Sequence, residues 1–205
     1  HSNAIFFPAR EKNDALNLED FSKVIQYHFD KNFIASFKSW EDAFNYIGEK
    51  ATEKIAVIID EFPYIIDENP SVKSILQHVI DHNWKNIFLI LCGSSVSVME
   101  SDVMGRKSPL HDRQTSTLEI KPFDYLESSA FFPEYSNEDK LLAYGILGGI
   151  PRYLEAFDPK LSVEKNIANK IIRNGAYLHE EPDNLLKAEL REINVYSSIN
   201  NIIKC

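Results

Sequence analysis

A chain of 205 residues suffices for one full-sized domain, or for one domain with a small helical appendage. Its 44% apolar content, with 13 Phe and 9 Tyr, excludes global disorder, and a formal charge of −9 argues against coating nucleic acid by bulk electrostatics. Two cysteines, Cys92 in an apolar run and Cys205 at the end, give no disulfide framework and point to a cytoplasmic setting. No run approaches the roughly 18–20 apolar residues that span a bilayer.

His1-Ser2-Asn3-Ala4 reads as a tag remnant, so residues 1–4 are expected to stand outside the fold. "AIFF" (4–7) is a short apolar strand stopped by Pro8. "LNLEDFSKVIQYHF" (16–29) puts Leu18, Phe21, Val24, Ile25 and Phe29 on one helical face. Ser39-Trp40-Glu41-Asp42 has the form of a capping box and opens a second helix. "KIAVIIDEF" is a β-rich run without alternation, the pattern of a strand covered on both faces. Asn69-Pro70 is expected to cap a helix whose inward stripe is Val72, Ile75, Leu76, Val79 and Ile80. "NIFLILCGS" (86–94) is a further apolar strand and "STLEIKPF" (116–123) an alternating one. Strand–helix–strand alternation at this spacing predicts a parallel α/β sheet. Segments 124–132, 137–157, 161–173 and 182–204 read as helices, which places a boundary near 123.

Two adjacent carboxylates, Asp60 and Glu61, end the run "IAVIID", and ligands of open parallel sheets bind at the carboxyl ends of the strands. Hydrophobic residues followed by Asp-Glu form the Walker B pattern of nucleotide hydrolases, in which the Asp holds Mg²⁺ and the Glu polarises water. Ser94, at the tip of the next strand, has a hydroxyl suited to a phosphate or to that water, and equally suited to capping the helix that follows.

"VIIDEFPYI", "ILCGSSVSVME", "SPLHDRQTSTLEIKPF" and "LGGIPRYLEAF", in this order, resemble an archaeal and bacterial family of AAA+-like, STAND-type P-loop ATPases. The resemblance covers about residues 5–200. It implies a truncated P-loop NTPase sheet with flanking helices over 5–123, followed by an all-α lid subdomain over 124–205 that leads toward a winged helix. It implies ATP and Mg²⁺ as ligands, Asp60 on the metal and Glu61 on the attacking water. The family's polar sensor falls on Ser94 or Ser95, and its basic residue on Arg113, with Arg106 as the second candidate. Gly149-Ile150-Pro151 matches the lid motif near the nucleotide base. Related proteins carry further domains that resemble DNA-associated function, so a DNA partner is expected only through regions outside these residues.

The phosphate-binding loop Gly-x-x-x-x-Gly-Lys-[Ser/Thr] does not occur. Lys-Ser pairs at 38–39, 73–74 and 107–108 follow Phe37, Val72 and Arg106 rather than Gly. In the family this loop and its strand lie just upstream of the strand matching "AIFF", so the sequence is expected to be a fragment that begins after them and hydrolyses nothing alone. The missing strand is central in the family's order 5-1-4-3-2. The exposed edges are expected to be closed by direct pairing of 86–93 with 116–122, or by self-association with another chain.

Three rivals remain from the residues themselves. Asp112 with Glu119 and Lys121 mimics the acid–acid–lysine core of metal-dependent nucleases. His78 and His82 have a zinc-capable i, i+4 spacing without an evident third ligand. A non-catalytic interaction module is the third.

Overall fold

The computed structural model describes residues 3–32 and 35–181. The chain divides between Thr117 and Leu118 into two compact units.

The first unit opens with strand β1 (Ala4–Pro8), helix α1 (Asp14–Asp30), helix α2 (Trp40–Lys50) and strand β2 (Ile55–Asp60). Helices α3 (Phe62–Glu68) and α4 (Val72–His82) then lead to strand β3 (Ile87–Leu91). The strands form one parallel three-stranded sheet in the order β1-β2-β3, with Ile5 beside Val57 and Val57 beside Leu89. Chain order and spatial order coincide, so both crossovers advance in the same direction. Right-handed connections of that kind put all four helices on one face, and the burial agrees. Ile5, Phe7, Ile55, Val57 and Ile59 are buried in a core with Phe21, Ile25, Phe44, Ile47, Ile65, Leu76 and Val79. On the opposite face, Phe6 is 53% and Phe88 61% exposed, and Ile58 and Ile90 are half-buried. The expectation that β2 is covered on both faces is therefore corrected, because no crossover helix falls on its second side.

Local signals account for most element ends. Ser39 accepts from the Asp42 amide at 3.1 Å and caps α2. Val72, Leu76 and Val79 of α4 are buried, with Ile75 and Ile80 packed against them. The cap of α4 is Ser71 rather than Asn69; Asn69 instead ends α3 and accepts from the Ser71 amide. Asn3 and Ala4 take part in the sheet: Ala4 pairs with Ala56, and the Asn3 carbonyl accepts from the Ala56 amide.

Beyond β3, a three-residue helix α5 (Val96–Val98) runs into a wide helical turn at Met99–Val103. Residues 116–123 hold no regular strand, and among the described residues nothing pairs with the outer edge of β3. The expected strand and its direct pairing with 86–93 are not found. A strand needs a partner ladder to satisfy its backbone, and here Leu118 to Lys121 lie exposed.

The second unit contains helices α6 (Tyr125–Ser129), α7 (Asn137–Leu147), α8 (Pro151–Leu154) and α9 (Val163–Ile167). Its core is Phe132, Ala143, Leu147, Leu154, Phe157, Val163 and Leu178. The buried Asn166 amide donates to Tyr135 Oη and to the Asp158 carbonyl. The helix expected over 182–204 lies outside the described residues. No described helix is long and apolar enough to cross a membrane.

Candidate functional site

The carboxyl end of β2 carries the two acids on backbone of different kinds. Asp60 is the last strand residue, opposite Pro8 of β1, and its Oδ1 accepts from the Glu61 amide at 3.1 Å. Glu61 has φ 51° and ψ 42°, the left-handed region that side chains with a Cβ seldom adopt. That turn is what ends the strand and starts α3 within one residue, with Pro63 in the first helical turn.

The tip of β3 meets this turn. The Cys92 amide donates to the Ile59 carbonyl and the Phe62 amide to the Cys92 carbonyl, both at 2.9 Å. Ser94 follows, and both its amide (3.3 Å) and its hydroxyl (3.1 Å) donate to Glu61 Oε2. Two residues named from separate motifs are thus in contact. Burial pushes the Cys92 thiol upward, and the Asp60 and Glu61 charges add to that. Asp60 and Glu61 are half-exposed and Ser94 is exposed, so the acids face an open surface.

Other expected site residues stand elsewhere. Ser95 Oγ lies 3.5 Å from Ser97 Oγ and precedes α5. Arg113 lies in a short 3₁₀ turn (His111–Arg113), and its guanidinium forks onto Asp81 of α4 at 3.1 and 2.8 Å. A third bond goes to the Pro109 carbonyl at 3.3 Å. The Arg113 bond holds the Asp81 carboxyl below its usual range. Arg106 sits exposed in a turn. In the second unit, Gly148 has φ 63° and ψ −154°, a conformation that only glycine adopts without strain. A Cβ on Gly149 would lie 1.8 Å from the Phe123 carbonyl oxygen, and the Phe123 amide donates to the Gly149 carbonyl. Pro151 opens α8. These three residues have local structural duties whatever ligand they meet.

Among the described residues no group of three His, Cys, Asp or Glu side chains is placed to hold a metal unaided. A hard cation bound through one carboxylate, with water and phosphate oxygens completing its shell, suits the Asp60 donor. Lys121 and Glu119 face solvent and pair with each other at 3.6 Å, 73% and 62% exposed, and Asp112 is exposed, which leaves the nuclease reading without a pocket. The His78 and His82 ring centroids lie 4.4 Å apart with the planes tilted by 32°, and His82 Nδ1 bonds the His78 carbonyl oxygen. An open pocket of about 190 Å³, lined by Asn3, His28, Lys50 and Ile55 among others, lies at the amino end of β2, away from the acids.

Sequence reasoning missed Asp81 as the partner of Arg113, because nothing local links positions 32 apart. It also missed α3, which the proline two residues after Glu61 signalled.

Comparison with known proteins adds the family. A family model described as an ATPase domain predominantly from Archaea matches residues 1–157. An uncharacterized protein of Methanocaldococcus jannaschii is 39% identical over 164 residues, covering 79% of this chain and 36% of that protein. A second uncharacterized protein of the same organism is 33% identical over 92 residues, covering 40% of this chain and 86% of its own length. The chain thus spans little more than a third of the first relative.

Proposed function

This chain belongs to the ATPase domain family found predominantly in Archaea, and on that premise we propose that the β2–β3 tip is the hydrolytic half of a Mg–ATP site of P-loop NTPase type. The observation that carries the reading is the contact of Glu61 with Ser94 at the carboxyl ends of adjacent parallel strands. The strand order β1-β2-β3 supports it, since it agrees with one flank of the 5-1-4-3-2 sheet.

Asp60 is the residue that would hold Mg²⁺, which when bound offsets charge on the phosphates. Glu61 orients the attacking water and accepts its proton. Ser94 fixes the carboxylate that does so, through its amide and its hydroxyl. Arg113 is the basic residue for the phosphates; to reach them it must leave Asp81. Arg106, exposed in its turn, is the alternative. Ser95 is the second sensor candidate, and Gly149 with Pro151 forms the base-side turn of a helical lid. The reading of an α/β core over 5–123 and a lid over 124–205 is part of this proposal, with the compact units themselves dividing between Thr117 and Leu118.

Mutation of Glu61 to Gln in the full-length gene product tests the assignment. Steady-state hydrolysis is expected to fall about 10²–10⁴-fold, with ATP binding retained. Unchanged turnover would remove Glu61 from the mechanism.

A further inference from the structure

The segment that follows β3 approaches the first turn of α3 more closely than a side chain at position 93 allows. A Cβ on Gly93 would sit 2.7 Å from Pro63 Cδ, and 2.9 Å from Pro63 Cγ and from Met99 Sδ. Two non-bonded carbons rest at roughly 3.5–4.0 Å, so such a Cβ would force a displacement. Met99 is a flexible chain and can yield. Pro63 cannot: its ring is rigid, buried, and fixed in the first turn of α3 directly after Glu61 and Phe62.

Backbone freedom does not explain the glycine. Among the described residues only Gly148 and Gly175 are glycines at positive φ, so Gly93 is not held in the left-handed region that favours glycine. Its missing side chain is what matters. With Gly93 against Pro63, Cys92 bonds both Ile59 and Phe62, and the next residue, Ser94, delivers two donors to Glu61 Oε2.

We infer that Gly93 is a positioning residue: its contact with Pro63 sets the distance at which Ser94 holds the Glu61 carboxylate. The inference rests on the preceding reading of Glu61 as the group that orients water. A Cβ at position 93 pushes the β3 tip off α3, and Ser94 moves with it. A displacement of about 1 Å in a catalytic group costs on the order of 10²-fold in rate.

The test is a suppressor pair, Gly93→Ala alone and combined with Pro63→Ala, which deletes the ring atoms that a Cβ would strike. In the 205-residue chain, hydrogen exchange by NMR reads the Ser94 and Phe62 amides, the donors to Glu61 and Cys92. Gly93→Ala is expected to lower the protection of both by about tenfold, and the added Pro63→Ala to restore it. In the full-length gene product, Gly93→Ala is expected to lower kcat about 10²-fold at unchanged KM, with recovery in the double variant. Should Gly93→Ala alone fail to fold, the double variant compared with Pro63→Ala decides the matter. Unchanged amide protection and kcat in Gly93→Ala would overturn the inference, as would a folded double variant with neither restored. If instead Glu61→Gln leaves turnover intact, the hydrolytic reading falls while the exchange result still reports on the spacer.

Discussion

Tyr153 shows how a single side chain in the second unit couples stability to pH. Burial pushes its phenol up to about 12, and its hydrogen bond to Glu181, 2.7 Å long, acts in the same direction. A group whose folded pKa lies above its unfolded value of about 10 stabilises fully below the unfolded value and loses that contribution as pH rises through the folded one. Tyr153→Phe is therefore expected to be less stable than wild type below about pH 10, with the gap declining from there and closed by about 12. Urea unfolding of both proteins across roughly pH 8–12 checks this; a gap that widens with pH would contradict it. At the same scale, the place of Asp60 and Glu61 at the carboxyl end of a strand was legible in the sequence, because the apolar run stops at that pair. The left-handed backbone of Glu61 and the partner of Arg113 were not legible, since both depend on what packs beside them.

Among the elements, α1 offers a control for the strain at Glu61. Lys31 and Glu61 are the non-glycine residues at positive φ among those described. Lys31 ends α1 at φ 58°, its amide donating to the Tyr27 carbonyl, and its side chain is exposed. That is the helix-terminating position that glycine favours, so Lys31→Gly is expected to stabilise the protein by about 1 kcal/mol. Chemical denaturation measures it, and a loss of stability would refute the account. Helices α1, α2 and α4 were legible from periodicity, because their apolar stripes coincide with the covered face, and the three strands from their apolar runs, although those runs did not tell which face is covered. The strand at 116–123 was read from alternation alone. Leu118 and Ile120 do alternate with Glu119 and Lys121, but alternation describes a segment suited to a sheet, and pairing decides whether it forms a strand.

At the scale of the whole molecule, the sequence joins an acid pair at a strand tip with the absence of the phosphate-binding loop motif. No Gly-x-x-x-x-Gly-Lys-[Ser/Thr] segment occurs in its 205 residues, so the sequence offers no loop of that pattern, with its backbone N–H groups and lysine, for a phosphate. We expect these residues alone to bind Mg–ATP weakly or not at all. Isothermal calorimetry giving a micromolar Kd for the 205-residue chain would overturn that expectation. A change from strand–helix alternation to helices suggested a boundary near 123; the compact units divide between Thr117 and Leu118, each with its own core.

The sheet helix-covered on one face also shapes the response of the fold to temperature. Phe6 and Phe88 are already more than half exposed in the native state, so unfolding adds less newly wetted apolar surface than it would for a sheet sandwiched between two helix layers. The heat-capacity increment of unfolding is reduced accordingly, since hydration of apolar surface is its main positive contribution. A smaller increment flattens the curve of stability against temperature, and this unit loses little of its margin on cooling.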